Sequence, residues 1–341
     1  MGSGNQSNAA EGLLIKSEYS KMVTLKDIQQ AQSLIRNFAV RTPLITCKLP
    51  DGRQIFVKPE NLQPIGAFKL RGAYNKISSL TPDQRARGVV AHSSGNHAQG
   101  VAYAARALNV KATIVMPSTA PKVKLEGTRA LGAEIVMVGP ASSERIARAE
   151  ELERERKLVP VPPYNDEKII AGQGTIGLEI LEDCTDIEVV LVPVGGGGLV
   201  SGIATAIKES RPGAKIIGVE PEFAADAQAS LRTGKIQSVS AESSMRTLAD
   251  GLRSQSIGPI NFEHIRKYVD GIITVKEDEI KQAMRHLLFS ARILAEPSGA
   301  VTTAAAVFHA AELPASGKTA AVVSGGNVEP QLFSDILLGN V

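Results

Sequence analysis

The sequence is poor in cysteine and has no long apolar run near its start, and both shortages restrict what the protein can be. Only Cys47 and Cys184 occur among 341 residues, too few for a disulfide framework or a cysteine-based zinc site. We therefore expect a reducing, cytoplasmic setting. The first 20 residues hold no apolar segment long enough for a signal peptide or a membrane span. We expect residues 1–20 to form a disordered lead.

The chain also lacks a clear excess of charge of either sign. It carries 38 basic and 35 acidic residues without a basic stripe, so neither nucleic acid nor a membrane is expected as a partner. Small molecules are the favoured partners. A hydrophobic content of 43% supports a sizeable core, and the length predicts roughly two domains.

What the sequence does contain is a repeated pattern of strand and helix. Apolar or β-branched runs predict six strands, in the stretches GVVAHSS, ATIVMP, EIVMVG, IEVVLVPVGGGG, KIIGVEPE and TAAVVSGGN. Strands that are apolar throughout are buried on both faces, which is typical of parallel sheets covered by helices. We therefore predict an α/β fold with doubly wound parallel sheets. No low-complexity linker is present, so we expect a second domain to be inserted into the first.

Four consecutive glycines, Gly195–Gly198, follow one of these strands and precede a helix. Ligands of open α/β sheets bind beyond the carboxyl ends of strands, and a glycine turn at a helix start offers backbone N–H groups to an anion. Four glycines lose more backbone entropy than a plain turn requires. We predict a phosphate site. The dinucleotide pattern fails, because Val200 and Ser201 stand where it requires glycine.

Two more turns rich in polar residues end predicted strands. The first, HSSGNHAQG at residues 92–100, places two serines, an asparagine and a histidine at one helix start. Each alone is explained as a helix cap, but together they indicate a carboxylate site. A histidine in this place is more often packed or capping than a base. The second turn, SGGN at residues 324–327, again supplies a hydroxyl.

Lys69 lies in the mostly apolar stretch GAFKLRGA, residues 66–73. A free lysine has a pKa near 10.4, so a nucleophilic lysine needs burial or a ready-made Schiff base. A buried lysine, a phosphate turn and a carboxylate turn together suggest pyridoxal phosphate and an amino-acid substrate. The alternative is that Lys69 extends from an apolar edge into solvent.

From about residue 24 to its end, the chain resembles the fold-type II pyridoxal-phosphate enzymes of the threonine dehydratase and serine racemase family. The matching stretches are RTPL, KPENLQPIGAFKLRGA, HSSGNHAQGVA, MPSTAPKVK, IAGQGTIGLEI, VPVGGGGLVSGIA, GVEPE, ADGL, EPSGA and SGGN. The resemblance implies a two-domain fold like that of the tryptophan synthase β chain. Its large domain would comprise residues 21–84 and 165–341, and its small domain residues 85–164.

The resemblance also implies roles for single residues. Lys69 would be the Schiff-base lysine and Phe68 a wall of the ring site. The other cofactor contacts would be Asn96 to the ring hydroxyl, Ser324 to the pyridine nitrogen, and Gly195, Gly196, Gly197 and Gly198 to the phosphate. Ser93, Asn96 and His97 would hold the substrate carboxylate. Ala67 stands where the family usually has serine, which puts one phosphate contact in doubt.

Three further assignments follow from likeness to the serine racemases. Ser94 would carry a second proton on the face opposite Lys69, or would be a helix cap or a phosphate or hydroxyl contact. Arg145 resembles by spacing a substrate-carboxylate arginine, although a surface arginine on a charged helix is the favoured interpretation. Glu220, Asp226 and the carbonyl of Ala224 resemble a site for Mg²⁺ or Ca²⁺. A solvated acidic turn is the alternative.

The resulting prediction is a pyridoxal-phosphate-dependent threonine and serine dehydratase, an ammonia-lyase that forms a homodimer or homotetramer. Serine racemase and 3-hydroxyaspartate dehydratase are alternatives within the family. A nicotinamide-dependent dehydrogenase is the alternative from another class. It would use Glu220, about 20 residues past the glycine turn, as its ribose-binding acid.

Overall fold

Two mainly parallel β-sheets organise the chain in the computed structural model, which describes residues 22–93, 95–120, 122–314 and 317–341. Ser94 and the predicted lead at residues 1–20 lie outside the described residues. Among the described residues, no helix is long and apolar enough to cross a membrane.

The larger sheet has six strands in the order β1-β2-β10-β7-β8-β9, and only β1 runs antiparallel to its neighbour. Its strands are β1 (Ile45–Lys48), β2 (Gln54–Pro59), β7 (Val189–Pro193), β8 (Lys215–Pro221), β9 (Gly271–Val275) and β10 (Thr319–Val323). Strand β7 is buried along its whole length, as expected for a central strand covered on both faces. Its Leu191 packs in one apolar cluster and its Val190 in another.

The smaller sheet has four parallel strands in the order β5-β4-β3-β6. They are β3 (Val89–His92), β4 (Ala112–Pro117), β5 (Glu134–Val138) and β6 (Val159–Pro160). All four lie between β2 and β7 in the chain. The α/β prediction with parallel sheets in two domains is therefore confirmed, while the exact domain boundaries stay a prediction.

Fourteen α-helices in the described residues cover the sheets. They are α1 (Leu25–Ile35), α2 (Lys69–Ser78), α3 (Pro82–Arg87), α4 (Asn96–Ala107), α5 (Lys122–Ala130), α6 (Ser142–Arg156), α7 (Glu167–Asp183), α8 (Gly198–Ser210), α9 (Asp226–Thr233), α10 (Ala241–Met245), α11 (Pro259–Tyr268), α12 (Glu277–His286), α13 (Pro297–Phe308) and α14 (Pro330–Leu338).

Helix α2 links the two sheets. Its Ala73 and Ile77 join the apolar cluster of the smaller sheet, although the sequence assigned this segment to the large domain. Its first turn, in contrast, lies at the carboxyl end of β10, because Ala67 forms a bridge with Gly325 and the Phe68 N–H donates to the Ser324 carbonyl over 3.1 Å. Lys69 is thereby placed where strands of the larger sheet end.

Candidate active site

Lys69 is the first residue of α2, and its partly buried side chain points to the segment that follows β6. Its Nζ donates to the Pro163 carbonyl over 2.7 Å. Burial lowers the pKa of Lys69 to about 8, because an ammonium group loses hydration in an apolar setting. At neutral pH, about one amine in ten is then unprotonated, far more than for a free lysine.

The glycine turn lies next to this lysine through Tyr164, which follows Pro163. A Cβ atom at Gly196 would lie 2.2 Å from the Tyr164 ring, and one at Gly198 would lie 3.0 Å from the Tyr164 carbonyl oxygen. Gly197 has a φ of 93°, which other residues rarely adopt. The glycines therefore leave room for Tyr164 as well as for a ligand, and sequence reasoning had no signal for this contact.

Asn261 holds the same turn from the side of α11. Its Nδ2 donates to the Gly196 carbonyl over 2.7 Å, and the Gly258 N–H donates to the same oxygen over 3.1 Å. These two hydrogen bonds fix the Gly196 carbonyl. Helix α8 starts at Gly198 and directs its positive end to this place. The arrangement suits a phosphate group.

Asn96 is the first residue of α4, and both the nitrogen and the oxygen of its side-chain amide are hydrogen-bonded. Its Nδ2 donates to Glu296 Oε1 over 2.6 Å, and its Oδ1 accepts from Asn327 Nδ2 over 2.9 Å. Ser93 Oγ accepts from the Gly95 N–H over 3.2 Å and so closes the turn. Ser94, predicted as a second proton carrier, lies outside the described residues.

The His97 ring cannot act as the cation of a carboxylate site. It is buried, and its Nε2 lies 2.8 Å from the Val161 carbonyl, so Nε2 carries the proton and Nδ1 is a bare acceptor. Nδ1 has no partner in the described chain. Burial, together with the nearby charge of Lys69, lowers the pKa of His97 to about 3. Any contact of His97 with a carboxylate would use its backbone N–H.

Ser324 lies at the end of β10, as predicted, and is almost fully buried. Its hydroxyl donates to the Ser298 carbonyl over 3.4 Å, a long hydrogen bond that leaves the oxygen able to accept or exchange partners. The carbonyl of Ser324 accepts the N–H of Phe68. Ser324, Phe68 and Lys69 therefore form one compact group.

Three charged residues that sequence reasoning left without a role meet beside Asn96. Lys124 forms an ion pair with Asp250, and a Cβ atom at Gly95 would lie 3.5 Å from Lys124 Nζ. Glu296 holds Asn96, while its second carboxylate oxygen has no hydrogen-bond partner in the described chain. Burial and the charge of Asp250 raise the pKa of Glu296 to about 7. All three come from matching stretches, MPSTAPKVK, ADGL and EPSGA.

Arg145 lies on α6, and the structure brings it to the strand end before the carboxylate turn. Its Nη1 donates to the Pro140 carbonyl over 3.2 Å. Burial lowers the pKa of His92, and the charge of Arg145 lowers it further. Arg145 is therefore within electrostatic reach of residue 92, at the start of that turn.

The predicted metal residues form a buried pair of acids at the start of α9. Glu220 Oε1 and Oε2 accept the N–H groups of Ala227 and Gln228, over 2.9 and 2.8 Å. Asp226 is buried, and neither of its carboxylate oxygens has a hydrogen-bond partner in the described chain. Burial raises the pKa of Asp226 to about 7. Burial and the charge of Asp226 raise the pKa of Glu220 well above its usual value.

Ala224 is buried in the short turn between these acids. The described residues contain no cluster of three or more histidine, cysteine, aspartate or glutamate side chains that could hold a metal ion. A cation here would therefore depend on the two carboxylates, backbone carbonyls and water.

Comparison with known proteins places the chain in one family. Residues 35–325 match the family described as pyridoxal-phosphate dependent enzyme. The chain is 46% identical over 320 residues to an L-threonine ammonia-lyase of Thermotoga maritima, covering 93% of this chain and 78% of the relative. It is 39% identical to an L-threo-3-hydroxyaspartate ammonia-lyase of Saccharomyces cerevisiae, covering 93% and 97%.

A solved structure is also similar. The serine racemase of Dictyostelium discoideum superposes with a TM-score of 0.84 at 37% identity, covering 90% of this chain and 99% of the racemase.

Proposed function

Since the chain belongs to the pyridoxal-phosphate-dependent enzyme family, we propose that it is an ammonia-lyase that converts L-threonine to 2-oxobutanoate and ammonia, and L-serine to pyruvate. The observation that carries the proposal is the partly buried Lys69 amine, with its pKa lowered to about 8, beside a turn of four glycines. The relative named for L-threonine is 46% identical. The family membership decides against a nicotinamide-dependent dehydrogenase.

The residues present fit pyridoxal phosphate. Lys69 would hold it covalently, the glycine turn at 195–198 would receive its phosphate, and Phe68 would flank its ring. A Cβ atom at Gly197 would lie 2.8 Å from Asn261, so this turn has no room for larger residues. When bound, the cofactor supplies an electron sink for the negative charge that develops at the substrate's α-carbon.

The protein's own groups would then move the proton and select the reaction. The Lys69 amine is a suitable base for the α-proton, because its lowered pKa lies close to the working pH. Ser324 would offer the ring nitrogen a hydroxyl rather than a carboxylate. A hydroxyl stabilises a positive ring nitrogen less than a carboxylate does, which favours elimination of the β-hydroxyl over transamination.

The turn at residues 93–97 would bind the substrate's α-carboxylate. Ser93 and Asn96 supply polar groups, and the backbone N–H groups at the start of α4 supply the positive end of a helix. His97 would contribute only its backbone, for the reason given above. Arg145 is a candidate for a more distant contact with an acidic substrate, and Ser94 for a second proton carrier.

Two other reactions of the family have specific support. One relative is named for L-threo-3-hydroxyaspartate, and one structural neighbour is a serine racemase. The deciding experiment measures 2-oxo acid and the opposite enantiomer from L- and D-threonine, serine and threo-3-hydroxyaspartate. We expect the highest kcat/KM for L-threonine or L-serine with 2-oxo acid as the main product. Racemisation faster than elimination would contradict the proposal.

We further propose that Glu220, Asp226 and the Ala224 carbonyl bind Mg²⁺ or Ca²⁺. Two carboxylates buried side by side repel each other, and Asp226 accepts no hydrogen bond from a side chain of the described chain. A hard divalent cation with oxygen ligands would neutralise this charge.

We also propose a cytoplasmic homodimer or homotetramer. Both cysteines are buried thiols without a disulfide, as in a reducing compartment. Phe289 and Leu338 expose 65% and 72% of their surface, and an interface between copies of the chain would cover such side chains. Light scattering after size exclusion tests the assembly, and a monomer at micromolar concentration would contradict it.

A further inference from the structure

The two largest side chains that are fully buried in the described chain are charged. They are Arg71 and Lys58, and both lie in the stretch KPENLQPIGAFKLRGA that also contains Lys69. Neither has a role in the site described above. We call the set Lys58, Glu60, Arg71 and Glu179 the ion cluster.

The Arg71 guanidinium forms two-point hydrogen bonds with two carboxylates. Its Nε and Nη2 donate to Glu60 over 2.7 and 2.8 Å, and its Nη1 and Nη2 donate to Glu179 over 2.6 and 2.9 Å. Thr175 Oγ1 and the Val40 carbonyl accept further hydrogen bonds from Nη1 and Nη2. Paired two-point contacts of this kind fix the orientation of a guanidinium group as well as its position.

The rest of the ion cluster is equally complete. Lys58 Nζ donates to Glu179 over 2.6 Å and to the Thr42 carbonyl, and Glu60 also accepts from Thr42 Oγ1 over 2.7 Å. Two positive and two negative side chains balance. Such sets add little net stability compared with apolar packing, because desolvation offsets the attraction. Their geometry is therefore the more informative property.

That geometry acts on the first turn of α2. Arg71 lies two residues after Lys69. Its carboxylate partners are Glu60, directly after β2, and Glu179 on α7. On the next residue, a Cβ atom at Gly172 of α7 would lie 2.6 Å from Gly72 Cα, so α2 and α7 are in backbone contact. The start of α2 is thus fixed by the two-point hydrogen bonds of Arg71 to Glu60 and Glu179, and by the close contact of Gly72 with Gly172.

The Lys69 amine, in contrast, makes a single hydrogen bond in the described chain. Its amine donates to the Pro163 carbonyl, and burial alone shifts its pKa, with no ion pair to another described side chain. The position of the amine therefore depends on the backbone of the first turn. A displacement of about 1 Å at a reacting group can lower a rate about 100-fold.

We propose that Arg71 is a positioning residue, which acts through the backbone of α2 to place the Lys69 amine at the reacting atoms. The inference rests on the proposed role of Lys69. The proposal gives one reason why the stretches RTPL, GAFKLRGA and IAGQGTIGLEI occur together. Arg71 and Glu179 belong to the ion cluster, and Thr42 and Thr175 contact it.

The test compares Arg71→Lys with Ile77→Ala. Lysine keeps the positive charge but has three donors on one atom, so both two-point contacts are lost. Ile77 is a buried residue of the same helix outside the ion cluster, and its truncation destabilises by a cavity alone. Urea unfolding of both variants shows whether their losses of stability are comparable.

For Arg71→Lys we expect kcat for L-threonine to fall about 100-fold, with KM within about threefold and a shifted visible absorbance of bound pyridoxal phosphate. Ile77→Ala should keep kcat within about threefold and an unshifted spectrum. Equal losses of kcat in the two variants, or a normal kcat and spectrum in Arg71→Lys, would overturn the inference.

Two additions keep the outcome clear. Borohydride reduction of the parent protein followed by peptide mass spectrometry first locates the cofactor. Attachment at a residue other than Lys69 would contradict the proposed site and the inference with it, whereas attachment at Lys69 with a normal kcat in Arg71→Lys would overturn the inference alone. If Arg71→Lys does not fold, Glu179→Gln, which keeps the shape of its side chain, should lower kcat about tenfold with the same spectral shift, and an unchanged kcat there overturns the inference.

Discussion

The ion cluster around Arg71 and the acid pair Glu220 and Asp226 are both buried, but only the ion cluster is electrically complete. Each of its charges faces an opposite charge and is hydrogen-bonded. In the acid pair two carboxyl groups face each other, and that of Asp226 has no side-chain partner in the described chain. A complete set is part of the architecture, whereas an incomplete set is what we expect at a site that binds a ligand.

Lys69 belongs with the incomplete groups. It is a cation with one carbonyl acceptor, and burial lowers its pKa to about 8. Structural charges are normally paired when buried. Arg71 lies two residues away on the same helix and is fully paired, which is the contrast we expect between a reacting amine and a positioning residue.

The comparison predicts its largest effect for Lys69→Ala. Loss of the covalent anchor and of the base should lower kcat/KM for L-threonine about 10⁴-fold or more and remove the visible absorbance of bound cofactor. The unfolding free energy should change by no more than about 1 kcal/mol, because no large core side chain is deleted. A 2-oxo acid assay and urea unfolding measure both.

Lys76→Ala is the matched control, since Lys76 lies on the same helix and pairs with Asp166. It should keep its absorbance and nearly all its activity. A Lys69→Ala protein that turned over threonine at near the parent rate would exclude Lys69 as the reacting amine.

The next effect is on stability and distinguishes the two cations of α2. Arg71→Met leaves Glu60 and Glu179 with too little positive charge, which should lower the unfolding free energy by about 3–5 kcal/mol. Lys69→Met removes an unpaired buried cation and should leave stability unchanged or raise it. Urea unfolding without added cofactor measures both, and equal losses would contradict the distinction.

Sequence patterns identified the parts of this protein that are local in the chain. All six strands predicted from apolar runs are present, as β3, β4, β5, β7, β8 and β10. The strands that were not predicted are short or mixed in burial: β6 has two residues, and β9 is only partly buried. Their strand state depends on pairing with a neighbour, which a periodicity argument does not contain.

The candidate site likewise combines residues that local sequence motifs predicted with contacts between distant parts of the chain that they did not. Lys69, Asn96 and the glycine turn were found because each lies in a motif at a strand end or helix start. The ion pair of Lys124 and Asp250 spans 126 residues, and the contact of Tyr164 with Gly196 joins a loop to a distant turn. Such contacts follow from the packing of two sheets and not from local residue order.

A smaller effect should separate the acid pair from the ion cluster by pH. The pKa of Asp226 is about 7 in the folded protein and near 3.9 in the unfolded chain. Between these values the folded state binds more protons, so this group's contribution to stability is present below pH 4 and is lost as pH rises to 7. In a chelator, we expect a loss on the order of 2 kcal/mol.

Asp226→Asn should remove this part of the pH dependence and leave the part that comes from buried Glu220, and Mg²⁺ or Ca²⁺ should reduce the pH dependence in the parent protein and have no effect in the variant. Thermal unfolding of both proteins at pH 4 to 8, with chelator or with each cation, gives the curves required. Glu222→Gln, a change in the exposed residue of the same turn, is the matched control. If neither chelation nor cations alter the parent's melting temperature, the pair is a buried acid pair without a metal.

The smallest predicted effect tests whether Lys69 is set apart by burial rather than by a charged partner. Since burial lowers its pKa to about 8, its unprotonated fraction rises about tenfold between pH 7 and pH 9. The protein freed of cofactor should therefore take up pyridoxal phosphate about tenfold faster at pH 9 than at pH 7, with a midpoint near pH 8, as followed by visible absorbance in stopped flow. An exposed lysine, with a pKa near 10.4, would instead give a rate that still rises about tenfold per pH unit at pH 9.

Arg71→Lys should leave the midpoint in place, because no charge of the ion cluster shifts the pKa of Lys69, and should lower only the rate. A midpoint that moved with residue 71 would mean that the two cations are coupled electrostatically and not through the backbone of α2.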